Sequence, residues 1–180
     1  MAWPVTASRT PYSNRWITVT EDEVVTPDGG AGVYGVVTVN NAAVYVVALT
    51  DADEVVLVEL DRHTVGHSLE VVSGGSDGED PLVAARRELL EETGLTADSW
   101  QEVGRMDALN GVCRAPEHVF LARGLHPARS AEHDQAEEGI TAVRTVPIPE
   151  VLAMVREERI RDGESIAALL FALLALGRVG

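Results

Sequence analysis

Glu88, Glu91 and Glu92 stand at i, i+3 and i+4, a spacing that stacks three carboxylates on one helical face. The local signals for a helix are clear. Asp80 can cap it, Pro81 takes the first helical position, residues 84–92 are good helix formers, and Gly94 is placed to end it. The carboxylates therefore fall at the C-terminal end, where the helix already carries partial negative charge. Each exposed anion there costs about 0.3–1 kcal/mol, and like charges at i,i+4 add about 0.2–0.5 kcal/mol. A chain breaks a local rule of this kind where a site needs it. A divalent cation resolves the conflict. Oxygen ligands without His or Cys suit a hard ion such as Mg²⁺, or Mn²⁺. Such an ion acts as a Lewis acid and lowers the pKa of a bound water.

The elements that must position this cluster follow from the surrounding pattern. Residues 16–25 alternate like a half-buried strand, and Pro27-Asp28-Gly29-Gly30 is a turn. Residues 33–39 and 42–49 are β-branched runs joined through Asn40-Asn41, which predicts a hairpin. Strands are expected at 54–60, 69–72, 100–106, 118–122 and 140–146, with a loop at 107–116 and a polar, irregular stretch at 125–138. The acidic helix covers 81–93, a second helix runs from Pro149 to Arg156, and an apolar one covers 165–176. Many strands with one helix mid-chain and two at the end predict a mixed sheet between helices.

The chain has 180 residues, enough for one domain with a real core. A net charge of −15 argues against binding nucleic-acid polymers or anionic membranes, because both need a basic footprint. It leaves nucleotide ligands open, since local arginines and a bound metal override the global field. All fourteen basic residues are Arg. Cys113 is the single cysteine, so an intrachain disulfide and a cysteine-rich zinc site are excluded, and a cytoplasmic setting is expected. In its loop it reads as a small buried residue rather than a nucleophile. Residues 1–12 lack the apolar segment of a signal peptide, and the longest apolar stretch, 166–176, is too short to span a membrane. The five histidines show no metal spacing.

The run Arg87-Glu88-Leu89-Leu90-Glu91-Glu92-Thr93-Gly94-Leu95, with Glu79 eight residues before Arg87, resembles the Nudix box of nucleoside-diphosphate-X hydrolases. The resemblance implies an α/β (α+β) fold, an α/β/α sandwich with a mixed sheet, preceded by N-terminal antiparallel strands. It implies Glu88, Glu91 and Glu92 as metal ligands, assisted by a backbone carbonyl near Ser73 or Gly74, while Arg87, Glu79 and Gly94 support the motif. The family spacing puts a glycine where this chain has Ser73; pairing Gly74 with it makes the loop one residue shorter.

The resemblance extends to roughly residues 12–175. Tyr12-Ser13-Asn14-Arg15-Trp16, Val56-Leu57-Val58 leading to Arg62, and Leu69-Glu70 are similar to the ADP-ribose and nucleotide-sugar branch. By that likeness Trp16 stacks on the base, Arg62 contacts phosphate and Glu70 contacts the nucleoside. The bland alternatives are a core tryptophan, a surface arginine and a solvated strand-edge glutamate. Leu109-Asn110-Gly111 replaces the branch's Ser-Pro-Gly, Asp61 would repel a diphosphate unless it points away, and Glu117 and His118 match the branch pattern. For the general base, Glu132, Glu137 and Glu138 lie in the polar stretch where related enzymes place one, and Glu92 is an alternative; reach decides among them.

These expectations combine into a metal-dependent hydrolase of a nucleoside-diphosphate sugar, ADP-ribose first, giving a nucleoside monophosphate and a sugar phosphate. The alternatives are GDP-mannose or a nucleoside triphosphate as substrate, or a non-catalytic nucleotide-binding sensor. Residues 1–40 are expected to contribute to a homodimer and to the substrate site, and 41–180 to form the hydrolase domain within one folding unit.

Overall fold

The computed structural model describes residues 3–179; residues 1, 2 and 180, at the ends of the two expected segments, lie outside the described residues. In chain order the elements are β1 (Val5–Ser13), β2 (Ile17–Val25), β3 (Ala31–Val39), β4 (Ala43–Leu49), β5 (Glu54–Arg62), β6 (Gly66–Glu70) and β7 (Val72–Gly75). Then come α1 (Pro81–Thr93), β8 (Leu95–Asp107), β9 (Cys113–Arg114), β10 (Pro116–Pro127), α2 (Glu132–Glu138), β11 (Ile140–Pro147), α3 (Ile148–Arg156) and α4 (Gly163–Ala175).

The strands form two sheets. The larger follows the order β11-β5-β4-β10-β8, with β6 on β5 and β7 on β4. It is mixed: β4 and β10 run parallel, and its other pairs are antiparallel. Alternation along β4 and β5 divides the core. Val47, Leu49, Val55 and Leu57 meet Val151, Met154, Leu169 and Ala172 of α3 and α4 on one face. Val44, Val46, Val56 and Val58 meet Ala84, Ala85 and Leu89 of α1 on the other. This is the expected sandwich. The smaller sheet, β1-β2-β3-β9, joins the three N-terminal strands to the short β9.

Three local expectations need correction. β3 and β4 are not a hairpin, because they belong to different sheets, and Asn40-Asn41 carries the chain from one to the other. The hairpin is β2–β3, closed where the Thr26 amide donates to Gly30 O and Gly29 takes a left-handed φ of 86°. The stretch 125–138 is largely ordered as the end of β10 and the seven-residue α2. The strand expected from 100 begins at Leu95.

Candidate active site

Helix α1 forms as its ends dictate. The Asp80 carboxylate accepts from the Leu82 amide at 3.0 Å, and Gly94, at a left-handed φ of 73°, donates from its N–H to Leu90 O. Its buried face is Ala84, Ala85 and Leu89 together with two acids, Glu88 (4% exposed) and Glu92 (2%). Arg87 answers the charge conflict. Its Nη1 donates to Glu88 at 2.7 Å and to Glu91 at 3.0 Å, Nε donates to Glu79 at 3.0 Å, and Nη2 donates to Gly75 O at 2.8 Å. One planar fork thus holds three carboxylates and the loop before the helix.

One oxygen each from Glu88, Glu91 and Glu138 lie within 4.8 Å of one another. Burial pushes Glu88 up to about 7 against the pull of Arg87, and pushes Glu92 well above the usual carboxylate range. Glu138 acts on both, so the four carboxylates share one field. Glu92 Oε2 accepts from the Ser73 amide at 3.3 Å. Gly74 packs against Glu88 so closely that a Cβ would overlap the carboxylate. The glycine that the loop requires is therefore Gly74, with Ser73 beside it. Surplus anionic oxygens against one guanidinium fit a hard divalent cation in charge and in donor type.

Above the cluster opens a cleft of ≈ 710 Å³ lined by Arg15, Trp16, Arg62, Arg87, Glu88 and Glu138, among others. Trp16 is 59% exposed, hence not core. The loop that presents it is built by two asparagines. Asn14 Oδ1 accepts from the Trp16 and Ile17 amides at 2.9 and 2.8 Å, and Asn40 Nδ2 donates to Asn14 O and Arg15 O. The Arg15 guanidinium lies 4.1 Å from the Trp16 ring centre. Arg62 donates to both oxygens of Glu70, at 3.2 and 2.6 Å, and Glu70 is 4% exposed. Glu70 is thus the buried anchor of Arg62 rather than a solvated edge residue.

Other candidates sit apart. Asp61 is exposed beside His67 and lines neither this cleft nor its continuation. Glu137 faces His133 at 3.5 Å and Glu132 is exposed, so of the three late glutamates Glu138 is the one brought to the cluster. The loop Leu109-Asn110-Gly111 abuts the smaller sheet, where Tyr34 donates to Gly111 O. Cys113 is half-buried in β9 against Val37, and lines a separate ≈ 460 Å³ pocket with Trp3 and Tyr34. The expectation that it lies in a loop is corrected. His118 pairs with Glu102 at 2.9 Å. Sequence reasoning gave Arg15, Asn14 and Asn40 no role at the site; the Asn14-Arg15-Trp16 run was the available signal.

Residues 39–169 match the family model described as NUDIX domain. The chain belongs to the Nudix hydrolase family. Residues 3–37 match a second description, nucleoside diphosphate sugar hydrolase N-terminal domain. This Nudix chain is 33% identical over 167 residues to an ADP-ribose pyrophosphatase of Mycobacterium tuberculosis, covering 91% of this chain and 80% of that one. It is 28% identical to the methanol dehydrogenase activator of Bacillus methanolicus, covering 91% and 88%. Similarity to a GDP-mannose pyrophosphatase of Yersinia enterocolitica is 31% over 59% of this chain and 56% of the relative. A crystal structure of an ADP compounds hydrolase superposes with a TM-score of 0.84 at 22% identity, over 99% of this chain and 98% of that one. That likeness carries the fold. No helix among the described residues is long and apolar enough to cross a membrane.

Proposed function

We propose that this Nudix hydrolase cleaves the diphosphate linkage of a nucleoside-diphosphate sugar, ADP-ribose first, to a nucleoside monophosphate and a sugar phosphate. The observation that carries the reading is the convergence of Glu88, Glu91 and Glu138 at the foot of a cleft whose wall bears Arg15 and Trp16. In it, Glu88, Glu91 and Glu92, with a carbonyl of Ser73 or Gly74, hold Mg²⁺, with Mn²⁺ as substitute. When bound, that ion supplies charge neutralisation on the diphosphate and an acidified water. Glu138 is the proposed general base: it ends α2 within reach of the cluster, and burial and Glu91 raise its proton affinity. Trp16 offers a ring to the base, and Arg62, aligned by Glu70, faces the phosphates. Glu79 and Arg87 orient the loop and helix.

The curated relatives named for ADP-ribose and GDP-mannose support the substrate class. The exposed Val5, Tyr12 and Val33 of the smaller sheet, with Trp3 just before it, support pairing of two copies through residues 1–40. A cytoplasmic setting belongs to the same reading. Product analysis with ADP-ribose and GDP-mannose, with and without chelator, tests it. Metal-dependent release of AMP and ribose 5-phosphate is expected; turnover of GDP-mannose alone would move the substrate, and turnover of neither would sink the diphosphate-sugar reading. Sedimentation is expected to give twice the chain mass.

A further inference from the structure

Helix α2 has seven residues, and none of them is buried. Packing of an apolar face is what normally holds so short a helix, so polar contacts must place this one. Its entry is strapped to the end of α1. The Ala128 and Arg129 amides both donate to Gly94 O, at 2.9 and 3.4 Å, and Ala131, the residue before α2, is buried. Arg129 lies 2.6 Å from Asp134, but partly exposed ion pairs of this kind contribute about 1 kcal/mol or less. These contacts fix where α2 begins. Its rotation about its own axis needs a contact further along.

Gln135 supplies it. Its Nε2 donates to Glu92 O at 2.7 Å. Glu92 O is one of the last four carbonyls of α1, for which a helix has no donor of its own. One bond thus completes α1 and docks α2. It also sets the helical phase. Gln135 and Glu138 stand at i and i+3 and share a face, so turning Gln135 toward α1 turns Glu138 the same way. Glu138 then joins Glu88 and Glu91. Glu137 is carried off that face; its side chain is 70% exposed, beside His133. The N–H of Gly139 donates to Gln135 O and closes the helix directly after Glu138.

We propose that Gln135 is a positioning residue: by capping Glu92 O it fixes the phase of α2 and so delivers Glu138, not Glu137, to the carboxylate cluster. The inference rests on the hydrolase reading above, with Glu138 as its base. A general base contributes about 10²–10⁴-fold, and only within hydrogen-bond reach. Gln135 is not among the residues that line the cleft, so its loss is felt in turnover and not in substrate affinity.

Two replacements remove the bond. Gln135→Ala deletes it, and Gln135→Glu keeps the length but has no donor and brings a charge unfavourable at the C-terminal end of α1. Both are expected to lower kcat at least tenfold on ADP-ribose, or on GDP-mannose if that is the compound turned over, with KM within twofold of the wild type. Because Gln135 acts through Glu138, adding Gln135→Ala to Glu138→Gln is expected to cost less than twofold more. In chelator, amide hydrogen exchange over residues 132–138 is expected to quicken in Gln135→Ala, while α1 stays as protected as in the wild type. A wild-type kcat in both Gln135 variants, equal losses from Gln135→Ala with and without Glu138→Gln, or unchanged exchange in α2 overturns the inference and leaves the hydrolase reading standing. A wild-type kcat in Glu138→Gln overturns the choice of base and this inference together. Cleavage of no diphosphate sugar overturns both readings.

Discussion

Gly74 lies against the carboxylate of Glu88, so close that any side chain at position 74 would occupy the same space. Glu88 is buried and tied to Arg87 at 2.7 Å, so it cannot swing aside without breaking that bond. Gly74→Ala is expected to lower kcat/KM at least tenfold and to weaken Mg²⁺ activation. A metal titration of steady-state rates checks it; an activation curve like that of the wild type would contradict the packing argument.

Arg87 cannot be replaced by another cation. Lysine offers a point charge where Glu79, Glu88, Glu91 and Gly75 O are met by a fork. Charge-assisted bonds are worth about 1.5–3 kcal/mol each when buried, and this network is partly solvated. Arg87→Lys is therefore expected to cost about 1–3 kcal/mol in urea unfolding, with activity falling further than stability.

Trp16 presents its ring to the cleft while Arg15 packs on it at 4.1 Å. Stacking of a base on an aromatic ring is worth about 1–3 kcal/mol. Trp16→Ala should raise KM for ADP-ribose about tenfold or more and lower kcat far less. Because the side chain is exposed, its melting temperature should hardly move. Asn40→Ala, which frees the Arg15 carbonyl, should show the same KM-weighted pattern more weakly.

Glu117 gives a pH signature. Its ordinary value is 4.5 and its folded value about 7. Between those limits the unfolded chain releases this proton while the folded chain keeps it, so stability falls as pH rises through the window. Glu117→Gln removes that contribution. In chelator, its melting temperature should decline less between pH 5 and 7.5 than that of the wild type. Glu88 and Glu92 carry slopes of the same sign in both proteins, so the difference reports on Glu117.

The helix α1 was legible because its signals are local: Asp80, Pro81 and Gly94 lie within fifteen positions, and the acids repeat at helical spacing. The strand pairing around Asn40 was not. β3 and β4 are both β-branched, and nothing in either run says which sheet it joins; Asn40 is committed to Asn14 and Arg15 instead of to a turn. Helix α2 was hidden because its seven residues bury no apolar face. It is held by Gln135 donating to Glu92 O and by Gly139 at its end. Only that docking brings Glu138 rather than Glu137 to Glu88. Glu117 feels the charge of Glu164, far along the chain at the start of α4, which no spacing rule could convey.

The Arg87 clamp has a consequence for the life of the protein. In many metal-dependent domains the free energy of metal binding is the free energy of folding, and stripping the ion melts the chain. Here Glu88 and Glu91 are answered by Arg87 from within the same helix, so the two events are expected to separate. On the proposed metal reading, the chain would fold first and take up its ion afterwards. A cell short of that cation would then hold a reserve of finished, silent enzyme, and a rise in the free ion would switch it on without new synthesis.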